Sequence, residues 1–207
     1  MFLSRLTLDP GHPQARRDLS NPYEMHRTLA RAYAPNSEIQ PYRFLWRLEP
    51  SHTFSPSAVL LVQSDQRADW SVLDALPGYA LEIFGNKLVS LEKLIQEGCR
   101  CRFRLLANPT VTRDGKRHGL VKEEEQRAWL ERQGKKGGFE LLGCVRGGSA
   151  RIQTRQSGSG RRITLQTALF DGALEITDAE LLRSVVCKGL GHGKALGLGL
   201  LSLARMT

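Results

Sequence analysis

The chain has 207 residues, of which 41% are apolar and 25% are charged, a composition typical of a soluble globular protein. Thirty Lys and Arg residues against 21 Asp and Glu residues give a net charge of +9, which favours a polyanionic partner such as nucleic acid or an acidic membrane surface. No apolar run approaches the roughly 20 residues of a membrane span, and the first residues show no export signal. The four cysteines lack a C-x-x-C spacing, which indicates reduced thiols. We therefore expect a cytoplasmic protein that is not inserted in a membrane.

The first half of the sequence predicts the order strand, helix, strand, strand, helix, strand. The first helix has clear signals, because Asn21 is a capping residue, Pro22 suits the first turn and Pro35 ends the pattern. Apolar periodicity gives the other elements, which are strands at 2–8, 42–48, 58–62 and 99–105 and a helix at 87–96. This is the order of the β-α-β-β-α-β ferredoxin-like fold, which the RNA-recognition motif shares. We assign it to an N-terminal domain of residues 1–110.

The second half predicts a domain of residues 120–207, joined to the first by a basic, turn-rich segment at 108–120. The predicted strands lie at 139–145, 152–156, 162–170, 174–176 and 196–204. The predicted helices lie at 123–132 and after the capping box of Thr177 and Glu180, up to Gly189. A second, degenerate ferredoxin-like domain fits these elements, although their order alone does not require it.

Metal and nucleotide motifs are absent from the sequence. Asp65, Asp69 and Asp74 are scattered, whereas two-metal nucleases need several converging carboxylates. Aligned on Gly193 and Lys194, the phosphate-loop pattern fails at both its first glycine and its Ser or Thr position, and no G-x-G-x-x-G frame fits. We therefore expect neither a metal ion nor a cofactor.

The tail at 189–201 is rich in glycines that alternate with larger residues. Such a run allows φ > 0, close backbone approach and the gathering of main-chain N–H groups around an anion. Lys194 is the best anion-binding residue in it, and a phosphate contact by His192 is plausible. The alternative is that the glycines let the tail pack tightly against a sheet, which we expect for Gly197 and Gly199 inside the predicted last strand.

Three stretches carry a family resemblance. The pattern Gly-x-Gly-x-x-Lys-x-x-Gly-x-Gly-Leu-Leu-Ser-Leu at 189–203 resembles the C-terminal signature of CRISPR-associated RNA-processing endoribonucleases, and it is most similar to the CasE subunit family of type I-E Cascade. The residues 2–6 (Phe-Leu-Ser-Arg-Leu) and 21–27 (Asn-Pro-Tyr-Glu-Met-His-Arg) are similar to that family too. The resemblance covers the whole chain and implies an α+β protein of two tandem ferredoxin-like (RRM-like) domains with antiparallel sheets.

His26 is the sharpest candidate for catalysis. A lone histidine on a helix is more often structural, but Tyr23 lies one turn away, the helix N-terminus favours a bound phosphate, and Arg27 and Arg31 are close by. RNA is cleaved without metal when its own 2′-OH attacks the adjacent phosphorus, which needs a proton acceptor, a proton donor and positive charge. The resemblance implies that His26 is the catalytic histidine and Tyr23 its partner. Which of the two is acid and which is base stays open.

The predicted RNA-binding residues surround that helix, the tail and a hairpin at 151–166. Basic and polar side chains alternate along the hairpin, which indicates either a solvated face or a ribbon that grips an RNA stem. The resemblance supports the ribbon. Together the predicted RNA-binding residues are Arg27, Arg31, Arg151, Arg155, Arg161, Arg162, His192 and Lys194. Arg100, Arg102 and Arg104 form another basic strand face, for which RNA contact and solvation remain open.

The resemblance implies a metal-independent endoribonuclease. It would cut CRISPR precursor RNA at the 3′ base of the repeat stem-loop, form a 2′,3′-cyclic phosphate, and remain on the RNA with the other Cascade subunits. The alternative is a non-catalytic RNA-binding or assembly subunit on the same fold, in which His26 is structural.

Overall fold

The computed structural model describes residues 1–34, 36, 38–50, 57–155 and 162–206, apart from the side chain of Arg155. The strands of this part of the chain are β1 Phe2–Leu8, β2 Phe44–Leu48, β3 Ala58–Ser64, β4 Ala80–Leu88, β5 Arg100–Ala107, β6 Thr110–Arg113, β7 Lys116–Gly119, β8 Phe139–Arg155, β9 Arg162–Ile176 and β10 Leu201–Arg205. The α-helices are α1 Pro13–Ser20, α2 Pro22–Ala30, α3 Leu91–Leu94, α4 Glu123–Lys136 and α5 Ala179–Lys188, and short 3-10 helices cover Arg31–Tyr33, Trp70–Leu73 and Lys194–Leu196.

The first sheet has the strand order β2-β3-β1-β4, and its three strand pairings are antiparallel. With α1 and α2 following β1, this is the ferredoxin-like arrangement, in which the 3-10 helix Trp70–Leu73 occupies the place of the second helix. The apolar faces of these elements form one buried cluster that includes Met25 and Leu29 of α2, as the 3.6-residue periodicity predicts.

The second sheet has the order β10-β5-β9-β8, and α4 and α5 occupy the two helix positions. Its six main elements repeat the ferredoxin-like order, and the hairpin β6–β7 is inserted between β5 and α4. The predicted fold class, two tandem ferredoxin-like domains with antiparallel sheets, is therefore confirmed. The four separate strands predicted between 139 and 176 are instead two long strands, β8 and β9. The glycines within them break the apolar pattern of the sequence but do not end either strand.

Two predicted elements belong elsewhere. The predicted helix at 87–96 is wrong except for the single turn of α3, because Leu88 ends β4, an edge strand whose apolar side chains Leu81, Phe84 and Leu88 are exposed rather than stacked on one helix face. The predicted strand at 99–105 exists as β5, but it pairs with β9 and β10 in the second sheet. Sequence periodicity identifies a strand but not its partner.

The chain divides into two compact units, and the first division along the chain falls between Val89 and Ser90. The first unit comprises the described residues of Met1–Val89, Thr154–Arg162 and Ala195–Gly197. The second comprises those of Ser90–Gln153, Ile163–Lys194 and Leu198–Thr207. Among the helices that the structure describes, none combines the length and the apolar character needed to cross a bilayer.

A buried carboxylate fixes α1 against α2 in the first unit. Asp18, which is 1% exposed, accepts hydrogen bonds from the Thr28 hydroxyl at 2.6 Å, from the Tyr79 hydroxyl at 3.0 Å and from the Gln14 amide at 2.9 Å. Burial, followed by the charge of Asp18, raises the pKa of Tyr79, so this hydroxyl stays a hydrogen-bond donor. The network holds in place the helix that carries the predicted catalytic residues.

Candidate active site and RNA-binding surface

The helix α2 begins as the sequence predicts. Asn21 has extended backbone angles (φ −136°, ψ 101°), and its side-chain oxygen accepts a hydrogen bond from the Tyr23 main-chain N–H at 3.1 Å. Pro22 occupies the first turn. This cap orients the helix so that Tyr23 and His26, both half-buried, lie one turn apart at its N-terminal end.

The imidazole of His26 is held by an aromatic stack. It lies on the ring of Phe44 with centroids 4.8 Å apart and an interplanar angle of 18°, and Phe44 stacks in turn on Tyr33 at 4.7 Å. The Nδ1 atom of His26 is buried and has no hydrogen-bond partner among the described residues. Burial lowers the pKa of His26, so the neutral ring, which is able to accept a proton, predominates near neutral pH.

Arg27 follows His26 and is mostly exposed, but it is not a free cation. Its guanidinium lies 3.2 Å from a carboxylate oxygen of Glu24, which is only 6% exposed, and Arg17 approaches the same oxygen at 2.9 Å. The two arginines together compensate a buried negative charge. Glu24 therefore neutralises part of the positive charge of Arg27, which leaves less of it to attract a phosphate.

A cavity of about 500 Å³ adjoins the C-terminal half of α2. Arg31 lies in its wall and donates a hydrogen bond to the main-chain oxygen of Val72 at 3.4 Å. The other lining residues include Arg27, Ala30, Ile39 and Pro41. Cations beside apolar side chains suit a nucleotide, whose phosphate and base need both. The sequence places Arg27 and Arg31 near His26, but only the tertiary structure brings Ile39 and Pro41 into the lining of the same cavity.

The predicted basic hairpin is formed by β8 and β9, which are neighbours in the second sheet. Arg151 and Arg162 are exposed, as a role in RNA binding requires. Of the other two predicted hairpin arginines, Arg161 lies outside the described residues, and Arg155 is described only in its main chain, so both stay predictions.

The end of β8 contacts the start of α2, the helix that carries the predicted catalytic residues. The hydroxyl of Thr154 donates a hydrogen bond to the side-chain oxygen of Asn21, and both residues belong to the first compact unit. Asn21 thus caps α2 and also holds the strand that leads into the basic hairpin. No sequence signal relates these residues, which are 133 positions apart; the sequence analysis missed the contact.

The glycine-rich tail is shaped mainly by packing. Gly199 has φ +88°, and a Cβ on it would lie 2.5 Å from the main-chain oxygen of Leu190; Gly197 has φ +79°, and a Cβ there would lie 2.8 Å from the ring of Trp46. The placement of both in the last strand is wrong, because β10 begins at Leu201 and left-handed backbone angles do not fit a strand. The packing role expected for these two glycines is nevertheless what their surroundings indicate.

The two predicted anion-binding residues of the tail lie in a basic neighbourhood. The ammonium of Lys194 donates a hydrogen bond to the main-chain oxygen of Gly191. His192 is exposed, and its pKa is lowered first by partial burial and then by the charges of Arg117 and Lys194. The tail therefore lies near β7, which carries Arg117. The segment around β7 appeared in the sequence only as a join between domains.

Two of the three arginines on β5 form cross-strand ion pairs. Arg100 lies opposite Glu175 in the sheet, with 3.0 Å between the charged groups, and Arg104 lies opposite Asp171 at 2.7 Å. Such pairs stabilise neighbouring antiparallel strands. Of the two alternatives for this face, the structure favours solvation with charge pairing over RNA contact.

The scattered carboxylates named in the sequence analysis do not converge. Asp69 caps the 3-10 helix Trp70–Leu73 by accepting hydrogen bonds from the main-chain N–H of Ser71 at 3.1 Å and from its hydroxyl at 2.6 Å. Within the described ranges, no three side chains of His, Cys, Asp or Glu are grouped as metal ligands.

Comparison with known proteins agrees with this architecture. Residues 1–205 match the family model described as CRISPR associated protein. The CRISPR-associated endoribonuclease Cse3 of Thermus thermophilus is 44% identical over 99% of this chain and 100% of its own length. This chain belongs to the same CRISPR-associated family. The resemblance proposed from the motifs at 2–6, 21–27 and 189–203 is confirmed.

A second relative and a solved structure of Cse3 place the chain within the type I-E branch of the family. The CRISPR system Cascade subunit CasE of Escherichia coli is 33% identical over 99% of both chains. The solved structure of Thermus thermophilus Cse3 bound to an RNA that represents a pre-cleavage complex superimposes with a TM-score of 0.87, at 41% identity and with 98% of both chains covered. The chain is therefore a full-length match to CasE-type CRISPR proteins in both sequence and fold.

Proposed function

We propose that this protein is the endoribonuclease that cleaves CRISPR precursor RNA at the 3′ base of the repeat stem-loop and then stays on the processed RNA within Cascade. The observation that carries the proposal is the placement of His26 beside Tyr23 at the capped start of α2, in a chain that matches CRISPR endoribonucleases from end to end. The similar proteins are named as an endoribonuclease, as a Cascade subunit and as an RNA complex before cleavage.

The chemistry assigned to α2 is attack by a 2′-OH on the adjacent phosphorus. His26, kept neutral by burial, takes the 2′-OH proton. The Tyr23 hydroxyl, one turn away, donates a proton to the leaving 5′-oxygen and regains it from solvent. Positive charge from the exposed Arg27 and Arg31 stabilises the phosphorane. This step leaves a 2′,3′-cyclic phosphate and a 5′-OH and needs no metal ion or cofactor.

The stem of the RNA is assigned to basic surfaces rather than to base stacking on a sheet. Arg151 and Arg162 are exposed on β8 and β9, and Thr154 hydrogen-bonds the cap of α2. Within the first unit, Thr154 thus holds the end of β8 beside the start of the helix that carries His26. Arg155, Arg161, His192 and Lys194 are assigned to phosphate contacts in the same complex.

The cellular setting follows from the substrate. CRISPR precursor RNA is a transcript inside the cell, and the four cysteines, none of which forms a disulfide, suit a reducing compartment. We therefore assign the protein to the cytoplasm, with the CRISPR repeat stem-loop RNA and the other Cascade subunits as its partners.

The decisive experiment uses a labelled repeat stem-loop RNA in EDTA. A parallel substrate carries a 2′-deoxy group immediately 5′ of the expected cut. Cleavage of the ribose substrate with no cleavage of the deoxy substrate is the expected result, because only the first has the attacking hydroxyl. Tight binding with no cleavage of either RNA would leave a non-catalytic RNA-binding subunit, and cleavage of both would exclude 2′-OH attack.

A further inference from the structure

We propose that the hairpin β6–β7, with His192 beside it, is a further RNA-binding surface that holds phosphates of the substrate backbone. The cations that carry it are Arg113, Lys116 and Arg117, in a segment that the sequence presents only as an interdomain join. The inference rests on the RNA substrate of the proposed function.

The hairpin β6–β7 contributes almost nothing to a core. Every residue from 112 to 119 is exposed, and an isolated two-stranded hairpin is only marginally stable in water. Asp114 and Gly115 at its tip have φ +51° and +69°, as a tight two-residue hairpin turn requires. Stability of the second unit therefore does not explain why a polar hairpin projects here.

The base of the hairpin, in contrast, is held by buried amides. The Asn108 side chain, 2% exposed, donates to the main-chain oxygen of Gln166 on β9. On the other side, the fully buried Gln126 of α4 donates to the main-chain oxygen of Leu120 at 2.8 Å. A Cβ on Gly119 would lie only 2.7 Å from the Cβ of Gln166, so the two chains pack closely. The hairpin is thus presented in a defined position.

The charges of the hairpin are arranged against each other. Arg113 lies directly opposite Lys116 in the pairing register, so both cations project from the same face. Like charges in this position destabilise a strand pair. Among the described residues, neither these cations nor Arg117 forms an ion pair, and the turn residue Asp114 compensates none of them. A bound polyanion would relieve the repulsion.

The opposite face of the hairpin adds the tail to the surface. Arg117 projects from the face that also holds Gly119 and therefore faces β9. A Cβ on Gly191, the neighbour of His192, would lie 3.9 Å from the main-chain oxygen of Asn108, just before β6, so the tail passes close to the base of the hairpin. Consistent with this, the pKa of His192 is lowered first by partial burial and then by the charges of Arg117 and Lys194. Cations thus continue from the hairpin tip to the glycine-rich tail, a distribution that suits consecutive phosphates better than a single ion.

RNA is favoured over an acidic protein partner. Val111 is the only apolar residue of the hairpin, and its side chain is half-buried. Protein interfaces, in contrast, have an apolar centre that is depleted in Lys. Basic groups without such a centre are typical of backbone contacts to nucleic acid.

The test compares wild type with the variant Arg113→Gln, Lys116→Gln, Arg117→Gln. The probe is the repeat stem-loop RNA with the 2′-deoxy group at the cut, so that cleavage does not disturb binding. Because each lost phosphate contact removes roughly 0.7 to 0.9 from the slope of log affinity against log salt, we expect the slope to fall by about 2 to 3. The ratio of wild-type affinity to variant affinity should then shrink by about 15- to 60-fold between 50 and 200 mM salt.

A matched control removes the same charge from another exposed site of the same unit, with Arg132→Gln, Lys135→Gln and Lys136→Gln at the end of α4. We expect the control to keep the wild-type slope to within about one contact. An unchanged slope in the hairpin variant, or an equal loss in the control, overturns the inference while leaving the proposed function intact. Failure of the wild-type protein itself to bind the RNA counts against the proposed function.

Discussion

The helix α2, which carries the proposed catalytic residues, and the glycine-rich tail are the two most conspicuous stretches of the sequence, and the structure explains them differently. On α2 the informative residues are side chains: His26 is stacked on Phe44, with its Nδ1 buried and unpartnered among the described residues. In the tail the informative residues are those without side chains, because Gly197 and Gly199 stand where any Cβ would collide with a neighbour. The regular backbone of the helix positions polar side chains, whereas the glycines of the tail allow an irregular backbone to pack closely against its neighbours.

Mutations in α2 and mutations in the tail should therefore have different effects. Substitutions on α2 should change the rate of cleavage while leaving the fold in place. Substitutions of the packed glycines should change stability first, and cleavage only through it.

The largest effect is expected for His26→Ala. Loss of the proton acceptor should lower single-turnover cleavage by about 10²- to 10⁴-fold, since general acid–base groups contribute on that scale. Binding of the 2′-deoxy stem-loop should stay within about twofold of wild type because the phosphate contacts remain. Cleavage at the wild-type rate would mean that His26 is structural, and α2 would then differ from the tail in no functional respect.

Gly199→Ala tests whether the glycines of the tail are required for close packing. A left-handed φ with a Cβ 2.5 Å from the Leu190 oxygen should lower the free energy of unfolding by about 2 to 5 kcal/mol, from backbone strain plus overpacking. Gly98 has φ +74° with nothing within 4 Å, so Gly98→Ala isolates the strain and should cost only about 1 to 2 kcal/mol. Chemical denaturation measures both, and equal losses would mean that packing at Gly199 contributes nothing.

Phe44→Leu should have a smaller effect on chemistry. Aromatic pairs contribute about 0.5 to 1.5 kcal/mol beyond their buried area, so a less well-held imidazole should slow single-turnover cleavage by about 2- to 10-fold. Phe170→Leu removes a ring of equal size from a buried position of the second unit and provides the control for lost core volume. If both variants slow cleavage equally, Phe44 acts through stability and not by positioning His26.

The smallest effect is a displaced pH profile. Because burial lowers the pKa of His26, the neutral form persists below the ordinary value of about 6.5. The cleavage rate at subsaturating RNA should therefore fall with a midpoint below about pH 6.5 as the pH is lowered, and Phe44→Leu should move that midpoint upwards as water reaches the ring. A wild-type midpoint above about pH 6.5 would contradict a buried, neutral His26.

Several features of this protein are determined by local sequence. The cap of α2, its buried stripe with Met25 and Leu29, and the exposure of Arg27 and Arg31 follow from capping chemistry and from the 3.6-residue repeat. The family follows from short motifs at both ends of the chain. All of these signals depend on residues a few positions apart, and a linear pattern preserves such relations.

Other features depend on residues far apart in the chain, and only the tertiary structure decides them. The sequence predicted a strand at 99–105 but not its partners, since β5 pairs with strands that come about 70 and 100 residues later. The exposure of the apolar side chains on the edge strand β4 follows from which sheet faces are covered. The link between Thr154 and Asn21, and the approach of β7 to His192, come from the same cause. Pairing and packing are chosen by the whole core, so no single stretch of sequence encodes them.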